Sequence, residues 1–253
     1  MTSADYRYSK STPDKQRDFE AAIDLHVAVT TAICRKWHVK EPYLYIDLHS
    51  GPGVDPTGLP GSPIVFLETA FWHRINHFAE FYELNPVNAE KLKAELQRRN
   101  LSNGQVICAN HLWVTMRHMN LQKSQYGAVY VDPSNAEIPF DILKHLCNVY
   151  PKMDIIINLA FASYKRSVEH PDYVPLDESL PKLKRFWKVR KPIGKHQWSI
   201  LIGTNWKDYP DQESWGFYDI DTPTGRSVYE KLVYTKRQLD FKAGQLGLWG
   251  NNE

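Results

Sequence analysis

A short apolar run that ends in an acid and passes straight into a glycine pair constrains this chain most: Tyr43-Leu44-Tyr45-Ile46-Asp47-Leu48-His49-Ser50-Gly51-Pro52-Gly53. The pattern predicts a first β-strand that hands the chain to a ligand-binding loop in an open α/β sheet. Gly51 and Gly53 carry no Cβ, so the backbone can turn sharply there and approach a ligand closely. Asp47, at the carboxyl end of that strand, points towards the crevice where such sheets bind ligands.

The rest of the chain alternates in the same manner. Phe19, Ile23, Val27, Thr30, Ile33 and Trp37 recur at spacings of three and four, the period of one helix face. A Gly/Pro-rich loop over 49–61 follows the first strand, and long ordered loops are often functional. A helix is expected from Ser62-Pro63, with Ser62 as N-cap and Pro63 at the first helical position. Further strands are expected over 78–83, 105–109, 127–132 and 154–159, with helices over 87–99 and 138–149. The end of a helix is expected over 182–187, an antiparallel pair over 198–202 and 216–220, and a last helix over 225–239. Strand–helix alternation through residue 160 implies a mostly parallel sheet with right-handed crossovers. The expected organisation is a disordered tail over 1–12, a helical extension over 13–42 and one α/β domain over 43–253.

Composition narrows the class. The 253 residues suffice for a sizeable core, and the apolar and charged fractions are those of a globular protein. No apolar run reaches the roughly 18 residues of a membrane span. The polar N-terminus, 1–18, lacks the apolar region of a signal peptide. Cys34, Cys108 and Cys147 are odd in number and match no metal spacing, which fits free thiols and a cytoplasmic location.

The expected strand ends collect chemistry: Asp47 with Gly51 and Gly53, then Glu83, Asn110, and Asp132-Pro133-Ser134-Asn135. An acid after the second strand can accept from both hydroxyls of a ribose, and an amide such as Asn110 can meet an adenine edge. Asn110 fits an N-cap or plain loop residue equally. The set suits an adenosine-containing cofactor. Gly51-Pro52-Gly53-Val54-Asp55-Pro56 lacks the third glycine of a dinucleotide fingerprint, and no phosphate-binding Gly-x-x-x-x-Gly-Lys-Ser/Thr occurs.

These residues resemble those of S-adenosylmethionine-dependent methyltransferases. More closely, the chain is similar to the three-Cys-motif partner proteins, a methyltransferase-like bacterial and phage group. The matching pieces are Tyr45 to Gly53, Gly61-Ser62-Pro63, Val131-Asp132-Pro133, Ile156-Ile157-Asn158-Leu159, Gly194-Lys195-His196-Gln197-Trp198 and Gly203-Thr204-Asn205. The resemblance implies a Rossmann-like methyltransferase fold and S-adenosylmethionine held by Asp47, His49, Gly51, Gly53, Glu83 and Asn110. It also implies a catalytic group of Asp132, Pro133 and Asn135 beside the transferred methyl, and a nucleic-acid base as substrate. Enzymes that methylate base amines carry an aromatic residue where this chain has Asn135, so another ring must supply the stack. Tyr164, Trp113 and Trp198 are the candidates. The group's name refers to a partner bearing three cysteines. The alternative function is therefore a catalytically silent subunit that binds such a cysteine-rich protein.

Outside the crevice, 182–195 is basic and free of acids, interleaved with Phe186 and Trp187. Lys184, Arg185, Lys188, Arg190, Lys191 and Lys195 could track phosphates beside stacking aromatics, or form a solvated helix end over core tryptophans. His73 and His77 have the spacing of one helix face but no third ligand in register, so no metal site is expected. Asn158, inside an apolar run, reads either as a satisfied core amide or as a crevice residue.

Overall fold

The structure is a computed structural model that describes residues 12–119, 124–133, 137–167, 174–192, 198–207 and 209–249. Strands β1 (Tyr43–Asp47), β2 (His77–Glu83), β3 (Gly104–Cys108), β4 (Gly127–Val131) and β5 (Met153–Ala160) run parallel. Strands β6 (Phe186–Arg190), β7 (Trp198–Thr204) and β8 (Phe217–Asp219) complete one sheet of order β3-β2-β1-β4-β5-β7-β6-β8. The order reverses between β1 and β4, and this switch point opens a crevice at the carboxyl edge. The expected Rossmann-like α/β architecture, mostly parallel with antiparallel strands near the C-terminus, is the one observed.

Alternate residues of each strand feed opposite faces, because side chains repeat every second residue. Tyr43, Tyr45, Phe81, Tyr130 and Ile156 enter one core, with α1 (Thr12–Lys36), α2 (Ser62–Trp72) and α3 (Pro86–Arg98). Leu44, Ile46, Tyr82, Val129 and Ile157 enter the other, with α4 (Trp113–Arg117), α5 (Phe140–Val149), α6 (Phe161–Ser167), α7 (Leu176–Leu183) and α8 (Pro223–Val233). A further helix, α9 (Lys236–Trp249), packs on α8. No helix among the described residues is long and apolar enough to cross a membrane.

Helix α1 starts at Thr12 and buries Phe19, Ile23, Val27 and Thr30 as its period predicts, but Trp37 lies beyond its end and is exposed. Residues 1–11 of the expected tail lie outside the described residues. Helix α2 takes Gly61, not Ser62, as N-cap, which frees the Ser62 hydroxyl for another bond.

The last third of the chain departs most from expectation. Residues 186–190 form strand β6 rather than a helix end. β7 pairs with β5 and β6, and β8 pairs with β6 rather than with β7. The alternation Phe-Trp-Lys-Val-Arg is that of a strand, but its charges disguise it. Lys188 is buried because its Nζ meets Asp219 at 2.5 Å and the Lys207 carbonyl at 3.1 Å.

Candidate functional site

The loop after β1 is a closed, ordered structure. Gly51 and Gly53 have φ of 65° and 84°, a left-handed backbone that costs other residues energy. Asp55 organises the far end by accepting from the Thr57 and Leu59 N–H groups at 2.8 and 2.9 Å. The loop returns on itself through a Val54–Pro60 bridge and the Gly61 N–H to Gly53 carbonyl bond at 2.6 Å. Its two ends are thereby held at the carboxyl edge.

Asp47 is fully buried at the base of this loop. Its carboxylate accepts from the His49 N–H at 3.0 Å and the Ser62 hydroxyl at 2.6 Å. Burial pushes its pKa up to about 7, reinforced by the charges of Asp132 and Glu83 and opposed by those two hydrogen bonds. His49 is pulled the other way: burial, with His111 beside it, lowers its pKa to about 4. The two rings meet edge-on with centroids 5.1 Å apart. His49 Nδ1 is buried with no hydrogen-bond partner among the described residues.

Glu83, ending β2, accepts from the Gly51 N–H at 2.8 Å and the Asn85 N–H at 2.7 Å. Each carboxylate oxygen retains a lone pair for a further donor. Asn110, after β3, is exposed, and its side chain accepts from the Leu112 N–H at 3.1 Å in an Asx turn, while Leu112 is the N-cap of α4. Across the switch point, Asp132 follows β4 and is ion-paired with Lys15 of α1 at 2.7 Å. Pro133 beside it is buried, and Asn135 lies outside the described residues. Asp132 and Glu83 are near enough to act electrostatically on Asp47, Asp132 acts likewise on His49, and Gly51 is bonded to Glu83, whereas Gly53 packs against α3.

The basic segment does not form one surface, and the expectation of a phosphate-tracking face is corrected for two of its members. Lys184 and Lys188 are buried, with Lys184 Nζ directed to the Pro151 carbonyl at 3.3 Å. Arg185 is exposed at the opposite edge of the sheet, where β6 starts. Arg190 and Lys191 lie at the end of β6, on the carboxyl edge of the sheet, and Arg190 is tied to Asp18 at 2.7 Å. Lys195 lies outside the described residues. The segment runs the length of a strand, so Arg185 and Lys191 stand at opposite ends of it and Lys188 between them is buried.

Of the candidate stacking rings, Tyr164 is buried and its hydroxyl accepts from the Leu176 N–H, so it belongs to the core. Trp113 is exposed at the start of α4, and Trp198 stands opposite Ala160 at the carboxyl end of β5. His73 and His77 do not share a helix face: His73 follows α2 and meets Asp24, whereas His77 opens β2. No cluster of three or more His, Cys, Asp or Glu fit to hold a metal occurs among the described residues. Sequence reasoning missed Ser62, His111 and Lys15 as site residues. Ser62 and His111 adjoin expected loops and were within reach, but Lys15 is 117 residues from its partner and carries no local signal.

No family model and no curated protein matches the chain. Among solved structures, protein LPL1258 of Legionella pneumophila is 15% identical, covering 84% of this chain and 92% of that one, with a TM-score of 0.49. A methyltransferase from Geobacter sulfurreducens is 12% identical, covering 78% and 90%, with a TM-score of 0.42. SMU.1697c of Streptococcus mutans, a proposed methyltransferase in complex with SAH, is 14% identical, covering 74% and 96%, with a TM-score of 0.47.

Proposed function

We propose that this protein is an S-adenosylmethionine-dependent methyltransferase acting on a base of DNA or RNA. The observation that carries this reading is the crevice at the switch point. There a left-handed glycine turn is held by the Glu83 carboxylate, and Asp132 stands across the gap. The residues fit such a cofactor: Glu83 keeps lone pairs for ribose hydroxyls, and His49 Nδ1 is a buried nitrogen with an unmet hydrogen-bonding capacity. The bound cofactor supplies an already activated methyl group. The chain's own task is then positioning. Asp132 accepts a hydrogen bond from the acceptor group and orients it. Lys191, exposed beyond β6 on the carboxyl edge of the sheet, supports a polyanionic substrate.

A second reading, a silent subunit for a cysteine-rich partner, is favoured by Phe71 and Trp72, which are 76% and 82% exposed beside Arg35 and Arg74. Asp132-dependent methylation of a nucleic acid by the purified chain would exclude it.

Calorimetric titration with S-adenosylmethionine and S-adenosylhomocysteine, with NADH as control, tests the first reading. Saturable binding that Gly51→Val and Asp47→Ala both abolish is expected. Binding undiminished in both variants, or preference for NADH, would overturn it.

A further inference from the structure

Asn158 presents a hydrogen-bonding group that the fold leaves unused. It is 2% exposed, yet its Oδ1 has no partner among the described residues. Its Nδ2 reaches the Tyr130 hydroxyl only at 3.4 Å. With Nδ2 turned to the Tyr130 hydroxyl, the unmet atom is the acceptor Oδ1; the reverse orientation would leave a donor unmet instead. Buried polar side chains are almost always satisfied, and an exception at a site asks for a ligand.

The sheet register sets this group beside Asp132. β4 and β5 pair Tyr130 with Ile156 and Val131 with Ile157, so the next step along both strands brings Asp132 next to Asn158. Two residues on from Tyr130 and Ile156, both side chains lie on the α1 face of the sheet. The first turns of α1 cover them. The Phe19 ring packs on Tyr130 at 4.4 Å, and the Lys15 ammonium donates to Asp132 at 2.7 Å. Lys15 is 40% exposed, so its side chain is free to swing out.

We propose that Asp132 and Asn158 form a two-acceptor floor for an exocyclic amine, and that the Lys15 ammonium occupies the amine's place until the base enters. This rests on the methyltransferase reading and names the acceptor class within it. An amine of adenine or cytosine offers two N–H donors, one for each oxygen. A thymine or uracil carbonyl would face two acceptors and leave both unsatisfied. Sites built to hydrogen-bond a donor reject analogues that lack it more strongly than apolar pockets do. Lys15 therefore competes with the substrate, whereas Asn158 selects it.

Fluorescence anisotropy with labelled single-stranded oligodeoxyadenylate, oligodeoxycytidylate and oligothymidylate, at saturating S-adenosylhomocysteine, tests this. The wild type should bind the adenine and cytosine oligomers at least about tenfold tighter than thymidylate, a difference of ~1.4 kcal/mol. Asn158→Leu should erase that preference and keep its affinity for S-adenosylhomocysteine. Lys15→Met, at a half-buried position outside the core, should tighten binding of the two amine-bearing oligomers and not of thymidylate; it decides the matter even if Asn158→Leu fails to fold. Equal binding of all three oligomers by wild type overturns the proposal. So does a preference that survives Asn158→Leu with cofactor affinity intact, or an unchanged Lys15→Met. Absence of S-adenosylhomocysteine binding in wild type instead removes the cofactor reading, and this inference with it.

Discussion

The Glu83 carboxylate accepts the Gly51 N–H at 2.8 Å across 32 positions of sequence, and so fastens the loop after β1 to the end of β2. Its other oxygen takes the Asn85 N–H at the start of α3. One acid therefore sets the distance between the glycine turn and the neighbouring strand end. Glu83→Ala leaves both N–H groups without this partner and should cost about 1–3 kcal/mol in urea denaturation. Cofactor affinity should fall with it. A variant of wild-type stability and affinity would show that the loop holds its own shape.

Asp47 and His49 should impose opposite pH dependences on stability. The folded-state pKa of Asp47 is raised to about 7, so its contribution is full below the unfolded carboxyl pKa and is lost as pH rises towards 7. His49 is lowered to about 4, so the unfolded chain takes up a proton near its ordinary pKa and stability falls as pH drops from about 6.5 towards 4. The two nearly offset each other across the same window. Asp47→Asn should leave stability rising from pH 4 to 6.5, and His49→Gln should leave it falling from pH 4 to 7. Each limb has a slope of at most ~1.4 kcal/mol per pH unit for one proton. Parallel profiles for the two variants, measured by denaturant melts, would refute the assignment.

Glu80 is buried on β2 and accepts from Arg117 Nε at 2.8 Å, His118 Nε2 at 3.0 Å and the Tyr82 hydroxyl at 2.9 Å. Burial alone would raise its pKa, but the bonds from His118 and Arg117 outweigh it and hold the carboxyl below its usual range. His118 in turn meets the Tyr150 hydroxyl at 2.7 Å, so the network pins α4 and with it the loop bearing His111. Glu80→Ala should destabilise by about 3–5 kcal/mol, the cost of stranding the partners of a buried charge. In the wild type this contribution is present above the unfolded carboxyl pKa and lost as pH falls through the lower folded value. A loss below about 1 kcal/mol on thermal or urea melts would mean that water replaces the carboxylate.

Lys191 and Lys188 are three residues apart but should differ in binding to nucleic acid. Lys191 is exposed just beyond β6, and Lys188 is buried against Asp219. Lys191→Ala should weaken oligonucleotide binding and lower the slope of log affinity against log salt by about one. Lys188→Met keeps the volume of the buried chain and should leave that slope unchanged. Equal effects on the salt slope would mean that the segment acts as one basic face.

The chain's local order made much of this protein legible. The apolar run of β1 ending at Asp47, the glycines of its loop and the acid closing β2 are short-range patterns, and each lies where its period and turn chemistry require. The even alternation of strands and helices through β5 dictates a parallel sheet, because each crossover must return the chain in the same direction. Beyond β5 the reading weakened. Phe186–Arg190 read as a helix end or a basic face, and only its pairing with β7 and β8 makes it a strand.

What only tertiary structure decided are the contacts between distant charges. Nothing local to Lys188 indicates that Asp219, 31 positions later, neutralises it within the sheet. Nor does any pattern around Lys15 point to Asp132. Hydrophobic periodicity is written into neighbouring residues because it reports one element's buried face. The state of a charge depends on which partner the folded chain brings near and how much water it removes. That is why the sequence alone placed the strand ends and their loop, while the structure decided which acids and lysines pair with one another.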